Sequence, residues 1–276
     1  MIKGKTVLIS GGAGSIGSEL VRQLSVENEV YVLDINETNM FDIVEELKLK
    51  GFKVEGRIGD VRDWQTVEEV FYDVKPDIVF HAAALKHVTP NEIHPDEAVK
   101  TNVLGTMHVI QCAKRYNAKF INISTDKVLN AHSVMGMTKK IAEGYVKRNG
   151  GVSVRFGNVI GSRGSVIPIW QAQLDRNEPL TVTDKRMMRY FMSIPEACGL
   201  VIKAAEIGEP GQILVLDMGE PKNVYELALE ILKKSGKEHL GVRDIGIRPG
   251  ETLGEKLMTD EEESQAIKQD NFWILK

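Results

Sequence analysis

Cysteine is scarce in this chain. There are two in 276 residues, Cys112 and Cys198. Both stand in apolar, helix-like surroundings without metal-ligand spacing, so they read as core residues of a reduced, cytoplasmic protein. An excess of charge of one sign is lacking too. With 35 Lys+Arg against 39 Asp+Glu, a net charge of −4 gives no electrostatic reason to expect nucleic acid or an anionic membrane as partner. No apolar run reaches the roughly 20 residues that cross a bilayer. Lys3 and Lys5 lead straight into Val7-Leu-Ile, which is not the pattern of a signal peptide. Internal repeats and low-complexity segments are also missing.

What is present is a rhythm. Short β-rich runs recur at Thr6–Ser10, Val30–Asp34, Lys53–Ile58, Asp77–His81, Lys119–Ser124 and Val152–Phe156. Stretches with helical spacing lie between them, including Asn36–Lys50 and Asp63–Val74. Such alternation predicts an α/β fold: a doubly wound, Rossmann-type parallel sheet with helices on both faces. Residues 1–160 are assigned to that domain. The rhythm breaks after Arg155, where Pro168, Pro179 and Pro195 punctuate a less regular region. Residues 161–276 are therefore assigned mainly to a smaller substrate-binding lobe, with some segments returning to the first domain. Within them Val224, Leu227, Ala228, Ile231 and Leu232 form one apolar helical stripe. The acidic run Asp260-Glu-Glu-Glu reads as a solvated helix start.

The first candidate site is Ser10-Gly-Gly-Ala-Gly-Ser-Ile-Gly, between the first strand and a helix predicted over Ser15–Leu24. Gly11, Gly14 and Gly17 fit a Gly-x-x-Gly-x-x-Gly dinucleotide turn. Such glycines let the backbone approach a pyrophosphate while the helix N-terminus, with Ser15 and Ile16, offers unpaired N–H groups. Asp34 ends the second strand about 20 residues on, where a carboxylate accepts from an adenosine ribose and repels a 2′-phosphate. This favours NAD over NADP. The plainer alternative is that Asp34 caps the following helix. Ala82, Ala83 and Ala84 follow the fourth strand, small enough for a dinucleotide to run beside them. Lys86, one turn further, is either a group at the cofactor–substrate junction or an ordinary solvated lysine. His81 and His87 read as structural.

The second candidate site follows the fifth strand. Asp126 and Lys127 put an acid beside a base, and a helix beginning near Met135 carries Lys139 one turn later on the same face. The plain alternatives are a strand-end turn with an exposed lysine and a gap-filling core methionine.

The segments His81-Ala-Ala-Ala-Leu-Lys-His-Val, Ser124-Thr-Asp-Lys, Val134-Met-Gly-Met-Thr-Lys-Lys, Arg155-Phe-Gly-Asn-Val-Ile-Gly-Ser-Arg-Gly-Ser-Val and Ile247-Arg-Pro-Gly-Glu occur in this order. Together they resemble the UDP-N-acetylglucosamine 4,6-dehydratases of the extended short-chain dehydrogenase/reductase superfamily. The resemblance covers nearly the whole chain. Long members of that group carry N-terminal transmembrane segments, and this chain is expected to be a soluble catalytic unit.

The resemblance implies oxidation at C4 of a UDP-sugar, loss of water across C5–C6 and hydride return to C6, with NAD regenerated in each turnover. Thr125-Asp126-Lys127 aligns with the Thr-Asp-Glu of related dTDP-glucose dehydratases, making Asp126 the acid for the C6 hydroxyl and Lys127 the base for C5. Burial raises an acid's pKa and lowers a lysine's, yet two facing charges oppose that tuning. Met135 stands where the superfamily has its tyrosine and cannot take a proton. The C4 proton is then expected to leave through Thr125 or a water to Lys127, with Lys139 on the nicotinamide ribose. The same resemblance puts Asp60 and Val61 against the adenine and Asn158, Arg163 and Ser165 on the substrate pyrophosphate. Arg189 and Arg248 would grip phosphate, and Glu251 the uridine ribose. A homodimer or higher homo-oligomer is expected. A UDP-sugar epimerase and a non-catalytic dinucleotide-sensing module are the alternatives.

Overall fold

The computed structural model describes residues 2–129 and 131–276. Strands and helices alternate through the first part: β1 (Thr6–Ser10), α1 (Ser15–Leu24), β2 (Glu29–Asp34), α2 (Glu37–Leu49), β3 (Val54–Ile58), α3 (Trp64–Val74) and β4 (Ile78–His81). Two short helices, α4 (Val88–Ile93) and α5 (Pro95–Ala98), run into a π-helical stretch at Val99–Gly105 and then α6 (Thr106–Arg115). β5 (Lys119–Ile123), α7 (Val134–Arg148) and β6 (Val152–Arg155) complete the alternation.

The later part interleaves two structures. β7 (Asn158–Ile160), α8 (Val166–Asp175), β8 (Leu180–Val182), β9 (Met188–Arg189) and β10 (Phe191–Ser193) precede α9 (Ile194–Ile207) and β11 (Ile213–Leu216). β12 (Lys222–Asn223), α10 (Val224–Ser235) and β13 (Val242–Asp244) follow, then α11 (Asp260–Gln265), β14 (Ile267–Gln269) and β15 (Phe272–Leu275).

The main sheet has nine strands in the order β14-β15-β11-β6-β5-β4-β1-β2-β3. Seven run parallel, while β15 returns antiparallel to β11 and β14 antiparallel to β15. The chain thus winds outward from β1 in both directions, and a crevice opens at the C-terminal ends of β1 and β4, where the winding reverses. Helices cover both faces, so the central strands are apolar throughout rather than alternating. In β1, Val7 and Ile9 pack into one core with α1, α2 and α9, while Leu8 enters the other with α3 and α6.

A third core joins Trp170, Leu174, Leu180, Val182 and Met187 to Val224, Ala228 and Leu232, three members of the stripe read from the sequence. This core is separate from the two that flank the main sheet. Cys112 and Cys198 are buried, as expected of core residues. Two prolines taken as interruptions open helices instead. Pro195 follows Ile194 at the start of α9 behind the Ser193 cap, and Pro168 lies in the first turn of α8. There the missing N–H has no helical partner to lose. The acidic run is a helix start, held by a reciprocal capping pair between Thr259 and Glu262.

Candidate active site

A cleft of about 610 Å³ occupies the reversal of the winding and extends over the small lobe. One wall is the glycine turn. Gly11 has φ +70°, and a Cβ there would lie 2.4 Å from the Ala83 nitrogen. A Cβ on Gly17 would lie 2.1 Å from the Gly11 carbonyl oxygen. Only hydrogen fits at either place. Gly14 is the N-cap of α1 and offers no side chain, so the first amides of the helix are left for something outside it. Gly11, Gly14, Ser15, Ile16 and Gly17 line the cleft, with Ala82 and Ala84 beside them.

Asp34 is tied to this turn. One carboxylate oxygen accepts from the Ala13 N–H at 2.9 Å and the other from the Asn36 N–H at 2.9 Å. The cap of α2 is Asn36, whose side chain accepts from the Asn39 N–H. The helix-cap alternative for Asp34 therefore fails. Asp60 accepts from the Arg62 amide and guanidinium, and Arg62 also reaches Glu97. Val61 does not stand open to a ligand: its side chain is buried in the second core against Gly105. Asp34, Asp60, Val61 and Ala83 are absent from the cleft wall.

The second candidate site lies past β5. The Ser124 N–H bonds the Val154 carbonyl and the Asp126 N–H bonds the Phe156 carbonyl, pinning this turn to the neighbouring strand. Asp126 is thereby buried, its side chain 0% exposed, while Thr125 and Lys127 reach the cleft. Asp126 Oδ1 accepts from the Thr125 hydroxyl at 2.9 Å and from Lys127 Nζ at 3.0 Å. No donor reaches Oδ2 among the described residues. It lies against Gly157 on the cleft wall, where a Cβ would come within 3.1 Å.

Lys127 Nζ also donates to Asn158 Oδ1 at 3.2 Å and to Glu255 Oε2 at 2.8 Å. Burial, aided by the nearby Glu255 charge, pushes the Asp126 carboxyl up to about 7 against the pull of Lys127. Burial would lower Lys127, but Asp126 and Glu255 outweigh it and raise the ammonium above its ordinary value. Glu255 is held low despite its burial, chiefly by Lys127. Burial thus suits Asp126 to an acid's part, whereas Lys127, charged at rest, can act as a base only after passing a proton on. Of the routes expected for the C4 proton, the one through the Thr125 hydroxyl leads to Asp126 Oδ1, which Lys127 Nζ also bonds.

Met135 and Lys139 open α7 behind the Ser133 cap, and both are buried in the cleft wall. Lys139 Nζ donates to the Ile123 carbonyl at 2.6 Å, and burial lowers it to about 8 although Glu143 opposes. His81 is structural, as expected. The Thr106 hydroxyl donates to the Asn102 carbonyl, so it must accept from His81 Nε2–H, leaving Nδ1 to accept from Ser10.

Lys86, Asn158, Arg163, Ser165, Arg189, Arg248 and Glu251, the residues expected to meet a substrate, all line the cleft. Their contacts divide them. Lys86 Nζ bonds Ser162 at 3.3 Å, and burial together with Arg163 and Lys127 lowers its pKa. Arg163 reaches back to the Ala13 carbonyl, and its amide bonds Ser15, so it braces the glycine turn. Arg189 is buried, its terminal nitrogens spent on the carbonyls of Met188, Thr252 and Leu253. It clamps the 251–255 strap instead of presenting an open fork. Ser165 Oγ, at the start of α8, has no partner among the described residues. Glu251 accepts from the Arg248 N–H at 3.2 Å, closing the turn that presents both side chains.

Three participants were not among the candidate site residues read from the sequence. Glu255 is one. Asn102, in the π-helical stretch, bonds the Leu85 N–H and carbonyl and the Thr138 hydroxyl, fixing the alanine loop to α7. Arg155, 2% exposed, pairs with Glu143 at 2.6 Å and Glu262 at 2.9 Å, and Glu143 in turn accepts from Ser124.

Comparison with known proteins agrees with this architecture. Residues 7–276 match the family described as "Polysaccharide biosynthesis protein". The capsular polysaccharide biosynthesis protein CapD of Staphylococcus aureus is 44% identical over 94% of this chain, and the match spans 46% of CapD. The chain thus covers about half the length of that relative. A Rickettsia bellii protein named UDP-glucose 4-epimerase is 35% identical over 99% of this chain and 83% of its own. The crystal structure of Pen from Bacillus thuringiensis superposes with a TM-score of 0.94 at 35% identity, covering 99% of this chain and 89% of Pen.

Proposed function

The chain belongs to the polysaccharide biosynthesis protein family, and from that premise we propose that it is an NAD-dependent 4,6-dehydratase acting on UDP-N-acetylglucosamine. The observation that carries this reading is Asp126: a buried carboxyl, one oxygen without a donor, linked to the cleft by the Thr125 hydroxyl. Epimerisation at C4 has no use for an acid at C6.

A dinucleotide suits the turn at Gly11–Gly17, where side chains are excluded and the amides opening α1 are uncapped. When bound, NAD would accept hydride from C4 and return it to C6. Asp34 would receive the adenosine ribose, and Lys139 the nicotinamide ribose. Met135 shapes the wall without exchanging a proton.

Asp126, held near neutrality, serves as a proton store. Through Thr125 it takes the proton of the C4 hydroxyl when ionised and supplies one to the departing C6 oxygen when protonated. Lys127, charged at rest, would pass a proton to Asp126 across their 3.0 Å contact as that carboxyl discharges to the C6 oxygen, and take the C5 proton in its place. It would give that proton back to C5 when hydride reaches C6, Asp126 then restoring the ammonium. Ser165, Arg248 and Glu251 remain open for a nucleotide diphosphate and its ribose.

The epimerase reading is favoured by one finding, the name of the Rickettsia relative. An isotope experiment separates the two. Substrate carrying deuterium at C4 should yield a 6-deoxy-4-keto sugar with deuterium in its methyl group, and heavy water should label C5. Label returned to C4 without a methyl signal indicates epimerisation. Absence of any 6-deoxy product from every UDP-hexose tried rejects the dehydratase.

A further inference from the structure

Glu255 lies on the strap between Glu251, on the cleft wall, and α11, yet its carboxylate enters the acid cluster. Its side chain is 9% exposed. Oε2 holds Lys127 Nζ at 2.8 Å, a shorter contact than the 3.0 Å from Lys127 to Asp126. Oε1 faces the Arg189 Nε at 3.5 Å. One ammonium is therefore divided between two buried carboxyls. Of the two, Glu255 has a second cation behind it, whereas Asp126 has an oxygen that receives no donor.

Resting on the reading of Asp126 as the acid, we propose that Glu255 is a positioning residue: it takes Lys127 as its own ion partner and leaves Asp126 to hold the transferable proton. The physical reason is competition. An ammonium given wholly to Asp126 would make that carboxyl a plain ion-paired carboxylate, unable to donate at neutral pH. Glu255 draws the ammonium away and adds a like charge at short range, and both effects favour the protonated form. The protonated Asp126 can in turn donate to the Glu255 carboxylate, a hydrogen bond that raises the one group and lowers the other.

The charged and titratable groups facing this cluster are Lys127 on the same turn, Glu255 and Arg189 from the strap and its clamp, Lys86 across the cleft, and Tyr190 beside Gly157. Among these, Glu255 is the group that carries negative charge in the range concerned, since Tyr190, its pKa raised, stays neutral. Glu255 thus controls the acid from the strap that also presents Glu251 to the nucleotide.

The test reads the proton directly. The infrared band of the protonated Asp126 carboxyl, assigned by its loss in Asp126→Asn, is titrated in the whole protein and in Glu255→Gln. The variant should lose the band at a pH lower by about one unit or more, a tenfold change in the proton equilibrium. The alkaline limb of kcat for the sugar reaction should move down with it, at unchanged KM. A band that titrates at the wild-type pH, or higher, overturns the proposal. Should Glu255→Gln fail to fold, Glu255→Asp, which withdraws the charge by one methylene, decides by the same shift in smaller degree. A wild-type protein that makes no 6-deoxy product refutes the dehydratase reading separately, because the band titrates with or without turnover.

Discussion

Replacing Asp126 with asparagine should abolish most of the chemistry and stabilise the protein above neutral pH. The amide keeps the side chain's size and an oxygen for Lys127 while removing a charge from a site with no exposed surface. The magnitude follows from linkage. The ordinary value of this carboxyl is 3.8 and the folded protein holds it at about 7, so the folded chain keeps a proton that the unfolded chain releases. Stability from this group is therefore fully present below about pH 4 and lost as pH rises to about 7, then level. At about 1.4 kcal/mol per unit, the loss has a ceiling of about 4 kcal/mol. Urea unfolding at pH 5 and pH 8, for both proteins and without NAD, isolates it as a double difference, since every other titrating group is shared. Between the two pH values the variant should gain relative to wild type by up to about 3 kcal/mol, the two units from pH 5 to the folded value, while turnover falls by roughly 10²–10⁴-fold. A variant that loses stability in parallel with wild type would show that Asp126 is not protonated in the fold.

Lys127→Ala should lower turnover by roughly 10²-fold or more with cofactor still bound, whereas Met135→Leu should be mild. A methionine variant as inactive as the lysine variant overturns the role given to each. Asp34→Ala should weaken NAD and narrow its advantage over NADP, and because Asp34 also anchors the Ala13 amide, binding of both should fall. Tighter binding of NADP by the wild type would contradict the assignment. Glu262→Gln should lower unfolding free energy by about 1–3 kcal/mol, less than a broken buried pair usually costs, because Glu143 still holds Arg155. Unchanged urea midpoints would mean that Glu262 contributes nothing there.

The parts that the sequence disclosed are those governed by neighbours in the chain. β1 and α1 fall at the residues expected from apolar runs and glycine spacing, and the predicted ends of other elements differ mainly by caps: Asn36 and Asp63 precede their helices as acceptors. α9 was obscured because Pro195 reads as a break until its place at the first helical turn is known. The acid cluster was half legible. Asp126 and Lys127 are adjacent, but Glu255 joins them across 128 positions, and no local pattern marks a glutamate that will lose its water. The same blindness hid Arg155, whose partners Glu143 and Glu262 stand in helices with ordinary solvated-looking charge patterns. Arg189 erred in the other direction: a forked donor in the right segment looked free for phosphate, and only three-dimensional contact shows it occupied by backbone.

The route of the strap sets a timetable for synthesis. Strands β3-β2-β1-β4-β5-β6 and the glycine turn all lie within the first 155 residues, whereas Arg189, Glu255 and the sheet neighbour β11 come later. Domains fold as units, and the core beneath β1 also takes Val201 from α9, Leu214 from β11 and Phe272 from β15. The first 155 residues therefore cannot complete the floor of the glycine turn. The last third of the chain finishes both that floor and the division of the Lys127 ammonium, so a chain cut ahead of residue 255 should lose cofactor capture and competence together.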